Sequence, residues 1–513
     1  MSGQGGAATP LVRTGTLLAE LAALLGVFAP ARFRGRVISG LCTDSRAATP
    51  GALFFAVPGV RADGAQYIAD AVARGATAVV YERGAVLPAA LPATVTLLEV
   101  ESVRRAKALA AHHFHGHPAS EIACVGVTGT KGKTTTAMLL HSILAAADER
   151  PTLIGTIEER VFGSAPRAAQ NTTPDPLRLA ELLAATRDAG GRSCVMEVSS
   201  HALDQERTTG IPFRAALFTQ LAREHLDYHA DVASYRDAKA KLFESLDDDA
   251  IAVVNAEDSS SAVLVRRSRA RVVTYGMVPG AHVTAEAIAL GPRATTFTLR
   301  SDREHGGARF PIESTLVGRH NLMNVLAAAA TALGLGLEPG AIARGVADLA
   351  LVPGRLEPVD AGRPFTVLVD YAHTDDSLEK VLGLLRPLTR GRLLVVFGCG
   401  GERDRTKRPR MGRVAASLAD AVFVTSDNPR SEAPAAIAAE IVASIPGFPD
   451  GAPHVAIELD RAVAIAHALH SAQAGDVVLI AGKGHEDYQI VGTQRLPFDD
   501  RVVARELLCR LSP

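Results

Sequence analysis

Long apolar runs, paired cysteines and an excess of one charge are all missing from this 513-residue chain. No apolar run approaches the ~18 residues a membrane span requires, so nothing reads as a transmembrane helix. The N-terminus, MSGQGGAATP, has neither the basic nor the apolar region of a signal peptide. Cys42, Cys124, Cys194, Cys399 and Cys509 are odd in number and form no C-x-x-C pair, which argues against a disulfide framework or a zinc site. They read as reduced thiols of a cytoplasmic protein. Lys and Arg number 54 against 55 Asp and Glu, a net charge of −1, so no global field draws the chain to nucleic acid or to an anionic membrane.

What is present is ordinary for an α/β enzyme: 47% hydrophobic and 21% charged residues, with 45 Gly and 28 Pro to make many βα turns. The length exceeds one core and predicts about three domains. One stretch organises the rest. Ile122 to Val127 is an apolar run that reads as a buried parallel strand, and from Gly132 the periodic Met138, Leu139, Leu140, Ile143 and Leu144 read as a helix. Strand, glycine turn and helix N-terminus form an anion cradle, because free N–H groups and the helix dipole point at one spot. Lys133 would reach the β/γ-phosphates and Thr134 would offer its hydroxyl to Mg²⁺. The full Walker spacing wants Gly where Val127 stands, leaving Gly129-x-x-Gly132-Lys133-Thr134. A purely structural turn would leave Lys133-Thr134-Thr135-Thr136 unexplained.

Upstream, Leu17 to Phe28 predict a helix and Val37–Leu41, Leu53–Val57 and Ala78–Tyr81 predict strands, with polar turns over Thr43–Gly64 suited to a ligand platform. The four histidines of Ala111–Pro118 have no carboxylate or Cys nearby and read as a helix end and linker, although a metal site is conceivable. Downstream, the strand Ser193–Val198 delivers Glu197 at its C-terminal end, where ligands of open α/β sheets sit, making it a Mg²⁺-ligand candidate. Ala215–Thr219 leads into His225, Asp227 and His229. Tyr235–Leu246 is an amphipathic helix whose Lys239 and Lys241 read, by composition, as solvated. Residues 272–316 suggest an antiparallel patch, and Gly318-Arg-His-Asn-Leu-Met-Asn324 precedes a helix from Val325 to Leu333. After Val352-Pro-Gly-Arg-Leu-Glu357, strands Thr366–Asp370, Arg392–Phe397, Ala421–Thr425 and Asp476–Ile480 alternate with helices, predicting a doubly wound sheet. Polar clusters follow four of its strands: Asp370-Tyr-Ala-His373, Gly398 to Asp404, Asp427-Asn-Pro-Arg430 and Gly482-Lys-Gly-His-Glu486.

These motifs, in this order, resemble the Mur ligase family over nearly the whole chain. The matching stretches include Asp44-Ser-Arg, Gly129-Thr-Lys-Gly-Lys-Thr-Thr, Asn171-Thr-Thr-Pro, Glu197-Val-Ser-Ser-His, His225-Leu-Asp-Tyr-His, Tyr235-x-x-Ala-Lys239, Val352-Pro-Gly-Arg and Asp427-Asn-Pro-Arg. The resemblance implies three α/β domains: a uridine-nucleotide-binding domain (1–104), a P-loop-type ATPase domain with a parallel sheet (105–351) and a Rossmann-like domain that binds the amino acid and closes over the site (352–513). It implies peptidoglycan synthesis in the cytoplasm by a monomer. The substrates would be ATP, UDP-N-acetylmuramoyl-L-alanyl-D-glutamate and meso-2,6-diaminopimelate, with two Mg²⁺ ions.

By that resemblance Gly129, Thr130, Lys131, Gly132, Lys133, Thr134, Thr135, Asn321 and Arg355 would hold ATP. Thr43, Ser45, Val60, Arg61 and Ala62 would hold the uridine nucleotide. Asn171, Thr172, Thr173, Ser199, Gln205 and Arg207 would hold the pyrophosphate and peptide arm. Thr134 and Glu197 would ligate one Mg²⁺, and Glu197, His225 and a carbamylated Lys239 the other; only a carbamate could turn that lysine into a hard oxygen ligand. Lys133, Glu197, His225 and Lys239 would form the catalytic set. Charge argues for the amino acid: diaminopimelate is lysine with an added carboxylate, and Arg430 can grip it bidentately. Arg403 would assist, with Asp427, Asn428, Pro429, Gly482 and Glu486 around the distal group. Lys131, Asp375 and Glu402 stand where the family usually has Asn, Pro and Asp. The alternatives are L-lysine as the added residue, another ligase of the superfamily such as folylpolyglutamate synthase, and a nonenzymatic nucleotide-binding module.

Overall fold

A computed structural model describes residues 15–59, 63–222, 224, 228–291, 294–448 and 454–510. The chain divides into two compact units: Met1–Ala289 with Thr295–Ser314 and Arg319–Leu349, and Leu290–Ala294 with Thr315–Gly318 and Ala350–Pro513.

The first unit opens on a four-stranded parallel sheet in the order Gly40–Cys42, Ala52–Phe55, Ala78–Glu82, Thr96–Val100. Ala52–Phe55 is buried throughout because both faces are covered, as parallel sheets require. Leu53 and Phe55 join one core with Leu18, Leu21 and Val103, while Ala52 and Phe54 join the other with Ile68 and Ala71. The first helix is shorter than its apolar pattern predicts, Leu18–Leu24, since the chain turns through Gly26 at φ +68°. The predicted Val37–Leu41 strand divides in two: Val37–Ile38 pairs antiparallel with Thr16–Leu17, and only Gly40–Cys42 enters the parallel sheet.

Helix Val103–Phe114, capped by Ser102, carries the first two of the four histidines, His112 and His113, in its last turn and is tied to the segments beyond. Lys107 Nζ lies 2.5 Å from Asp175 Oδ2, and Ser102 donates to Glu206 Oε2 at 2.7 Å.

The same unit holds an eleven-stranded sheet. Its central strands, in spatial order, are Pro151–Ile154, Ser193–Glu197, Ala123–Thr128, Phe213–Phe218, Ile251–Asn255 and Arg271–Tyr275, all mutually parallel. Antiparallel pairs close both ends, Glu158–Arg160 with Arg167–Ala168 and Thr295–Ser301 with Arg309–Ser314. Of the antiparallel patch expected over 272–316, Arg271–Tyr275 instead joins the parallel strands, while Thr295–Ser301 and Arg309–Ser314 pair antiparallel and Val283–Leu290 lies beside them, all in the main sheet. Helix Arg319–Gly334 begins earlier than the alanine-rich run suggests, placing Asn321 and Asn324 inside it, both buried.

The second unit is a six-stranded sheet in the order Glu357–Pro358, Thr366–Asp370, Val477–Ala481, Leu393–Phe397, Ala421–Val424, His454–Ile457, parallel except for the first pair. Val477–Ala481 arrives late in the chain yet inserts between the two earliest parallel strands, which creates the switch point where such sheets bind ligands. A hairpin, Tyr488–Val491 with Gln494–Pro497, follows it and has no counterpart among the predicted elements. All five cysteines are free, and only Cys509 is exposed. Among the described residues no helix is long and apolar enough to cross a membrane.

Candidate active site

The phosphate-type loop sits between the strand Ala123–Thr128 and the helix Lys133–Ala146. No side chain caps that helix, so its first N–H groups stay available to an anion. The loop is braced from the end of Phe213–Phe218. Thr219 Oγ1 donates to the Lys131 carbonyl at 2.7 Å, and Thr130 N donates to the Gln220 carbonyl at 2.7 Å. Gly132 has φ +88°, and a Cβ there would meet Asn324 Oδ1 at 2.5 Å. Asn324 in turn donates to Asn321 Oδ1 at 3.1 Å, so the predicted Asn321 reaches the loop through a neighbour. Lys133 Nζ folds onto the carbonyls of Gly129 and Thr130 at 3.1 and 2.9 Å.

Glu197 is 1% exposed at the end of its strand. Its Oε2 accepts from Thr134 Oγ1 at 3.1 Å and from Thr156 Oγ1 at 3.0 Å, while Oε1 accepts from Thr156 N at 2.8 Å. Thr156 escaped the sequence reading because the preceding strand, Pro151–Ile154, is only four residues and opens on proline. Thr156 Oγ1 also lies 3.1 Å from Thr172 Oγ1.

Lys239 overturns the solvated reading. It is 1% exposed, its Nζ donating to the Gly129 carbonyl at 2.8 Å and lying 4.3 Å from the Tyr235 ring centre. Burial, and then the Lys133 charge, push its amine well below the usual lysine value. Lys241, two residues on, stays at the surface 3.1 Å from Asp204, as composition predicted. His225 and Asp227 lie outside the described residues, as do Val60, Arg61 and Ala62. His229 is buried, with Nε2 3.0 Å from Ser200 Oγ.

A second cluster lies beside Glu197. Thr173 Oγ1 donates to the Glu197 carbonyl at 2.9 Å and accepts from Ser199 N at 3.0 Å. Arg207 donates to the Thr173 carbonyl at 2.7 Å and to Gln205 Oε1 at 2.8 Å. Thr173, Ser199, Gln205 and Arg207 thus converge, while Asn171 is exposed at the loop's start. Thr43 follows the first sheet strand, and buried Ser45 donates to Asp70.

In the second unit, Asp427, Asn428 and Arg430 meet Gly482 and Glu486. Asn428 Nδ2 donates to Glu486 Oε2 at 2.9 Å, and Gly482 at φ +114° leaves just enough room for Asp427, whose Oδ2 would sit 3.2 Å from a Cβ. Arg430 adopts φ +53° and its Nη1 donates to the Gly401 carbonyl at 2.7 Å. The unforeseen hairpin fixes that conformation: Arg430 N donates to the Ile490 carbonyl and Gly492 N to the Arg430 carbonyl. Arg403 is exposed and packs over Gly400, the same glycine that faces Arg430 Nη1. Two buried arginines support these loops. Arg408 bonds Glu432 and Glu440 at 2.9 and 3.0 Å. Arg461 bonds Asp500 twice at 2.7 Å and also the carbonyls of Ser426 and Ala481 at 3.2 and 3.0 Å, directly behind Asp427 and Gly482. Arg355 lies over the Tyr371 ring at 4.9 Å. The three unusual residues are accommodated: Lys131 through its carbonyl, Asp375 by Arg410 at 3.0 Å, and Glu402 at φ +54° with its N–H on Glu432.

Three family models match in series: "Mur ligase family, catalytic domain" over residues 37–127, "Mur ligase middle domain" over 127–332 and "Mur ligase, glutamate ligase domain" over 354–484. The chain belongs to the Mur ligase family. This Mur ligase is 46% identical over 473 residues to the UDP-N-acetylmuramoyl-L-alanyl-D-glutamate–2,6-diaminopimelate ligase of Solibacter usitatus, covering 92% of this chain and 93% of that one. The enzyme of the same name from Gloeobacter violaceus is 46% identical over 475 residues, with 92% and 94% covered. A solved structure of a ligase of that name is 30% identical, with TM-score 0.68 over 96% of this Mur ligase and 99% of that chain. A MurF of Acinetobacter baumannii, 20% identical with TM-score 0.65 over 97% and 99%, shares the fold.

Proposed function

We propose that this Mur ligase is cytoplasmic and monomeric and joins meso-2,6-diaminopimelate to the D-glutamyl γ-carboxylate of UDP-N-acetylmuramoyl-L-alanyl-D-glutamate, using ATP. Its domains divide near 1–104, 105–351 and 352–513. The observation that carries the reading is the convergence of Asp427, Asn428, Arg430, Gly482 and Glu486 in a chain that also carries a braced phosphate loop. An acidic pair beside a fixed guanidinium suits an amino acid whose far end bears both an ammonium and a carboxylate.

Gly129, Thr130, Lys131, Gly132, Thr135 and the open helix N-terminus hold the phosphates, with Asn321 and Arg355 contributing to ATP binding. Lys133 exchanges its carbonyl partners for the γ-phosphoryl oxygens and offsets charge as the substrate carboxylate attacks in line. The amine of the incoming amino acid then displaces phosphate from the acyl-phosphate, forming the amide. Thr43, Ser45 and residues 60–62 hold the uridine nucleotide. Asn171, Thr172, Thr173, Ser199, Gln205 and Arg207 orient the arm that presents the carboxylate.

The donor set fits magnesium: a buried carboxylate with a hydroxyl 3.1 Å away offers hard oxygen ligands. Thr134 and Glu197 would hold one ion, and Glu197, His225 and carbamylated Lys239 a second. Such ions, when bound, neutralise the phosphate oxygens. The lowered basicity of Lys239 favours the neutral amine, the form that adds to CO₂. The test is ATP-dependent phosphate release with the UDP-muramoyl-dipeptide and either diaminopimelate or L-lysine. Diaminopimelate should be preferred by about 10- to 100-fold, the worth of one charge-assisted pair. A preference for lysine would reject the assignment of the amino acid.

A further inference from the structure

Gly482 and Gly484, at φ +114° and +54°, frame a turn that sends the Lys483 side chain inward. Lys483 is fully buried. Its Nζ lies 3.1 Å from Glu486 Oε2, 3.8 Å from Asp427 Oδ1 and 3.4 Å from Asn428 Oδ1, with the Tyr488 ring centre 5.4 Å away. Burying an ammonium costs several kcal/mol unless it is paired, so two carboxylates at this distance account for its position.

The consequence is a charge balance. Asp427 and Glu486 alone would present two negative charges. The far end of diaminopimelate is a zwitterion and brings one ammonium and one carboxylate, whereas the far end of L-lysine brings an ammonium only. With Arg430 set aside for the carboxylate, an uncompensated acidic pair would favour the lone cation. Lys483 cancels one of the two charges. Of the other cations near the pair, Arg461 is matched by Asp500, and Arg495 stacks 3.7 Å from the Tyr488 ring centre at the surface. Lys483 also fixes orientation. Glu486 Oε2 is occupied by Lys483 and by Asn428 Nδ2, and Asn428 Oδ1 takes Ile490 N at 2.9 Å, so the Glu486 carboxylate is pinned through one of its oxygens.

We propose that Lys483 is a specificity-determining positioning residue, a buried cation that balances the pocket so that it admits a zwitterionic amino-acid end over a cationic one. This rests on the reading of the cluster as the diaminopimelate pocket. The experiment compares the full-length enzyme with Lys483→Met, Lys483→Arg and the charge-balanced Asp427→Asn/Lys483→Met by phosphate release with each amino acid. Lys483→Met should lower kcat/KM for diaminopimelate about 10- to 100-fold through KM, leaving kcat and the KM for ATP nearly unchanged. The diaminopimelate-to-lysine ratio should fall by a similar factor, and both Lys483→Arg and the double variant should recover much of it. Because the double variant keeps the wild type's net charge, with Glu486 still bonded by Asn428, it also carries the measurement if the single Met variant fails to fold. An unchanged ratio, equal rises in KM for all substrates, or a double variant as unselective as the single one would overturn the proposal. If the wild type releases no phosphate with diaminopimelate, the functional reading fails instead.

Discussion

The four-histidine segment predicts a measurable acid sensitivity. His112 is 2% exposed, and neither ring nitrogen has a hydrogen-bond partner. Burial first, then the neighbouring His117 and His115, lowers its value to about 4. An unfolded histidine titrates near 6.5, so the unfolded chain takes up the proton first as pH falls. Stability from this residue is fully present above about pH 6.5, is lost between there and pH 4, and is level below. Linkage gives a loss of about 2 kcal/mol at pH 5 and about 3 kcal/mol at pH 4 relative to pH 7. His112→Leu removes the titration and should flatten this part of the profile, with no penalty at pH 7 beyond repacking. Since the chain has no tryptophan, urea unfolding is best followed by far-UV circular dichroism, at pH 7 and at pH 5. His141 and His485 are also lowered to about 4, so the wild type will lose more than one residue's share. The difference between wild type and variant isolates His112. Equal losses for the two proteins from pH 7 to 5 would refute the argument.

Thr156→Val keeps the shape and removes the hydroxyl bond to Glu197, so activity or Mg²⁺ affinity should fall about 10- to 100-fold, read as the Mg²⁺ dependence of phosphate release. Lys239→Ala should abolish most turnover, with partial recovery in added short carboxylic acids; full activity without them would sink the carbamate role. Asp500→Asn strands the buried Arg461 charge and should cost about 3–5 kcal/mol in the second unit, seen as a lower unfolding midpoint. A midpoint within error of the wild type would show that Arg461 finds another partner.

The phosphate loop and Glu197 were legible in the sequence because their signals are local: a glycine turn between strand and helix, and a carboxylate at the end of an apolar run. The doubly wound second unit was legible for the same reason, since each strand ends in its own polar cluster. What escaped depends on partners far along the chain. Composition could not reveal that Lys239 is buried while Lys241 is not, because both sit on one amphipathic helix and only tertiary packing separates them. Lys483 stood in plain view inside a quoted motif, but its partner Asp427 comes from another strand end. The hairpin that fixes Arg430 is short and polar, with no periodicity strong enough to announce it.

Arg461 ties the backbone behind Asp427 to the backbone behind Gly482, and every charge assigned to amino-acid choice lies within that one unit. The groups assigned to phosphoryl chemistry lie almost entirely in the other. On the proposed assignment, selectivity would be a separable cassette. A lineage needing a different cross-linking residue could rewrite Asp427, Arg430 and Lys483 without disturbing the energy-coupling machinery, and an engineer could graft the same few positions for the same reason.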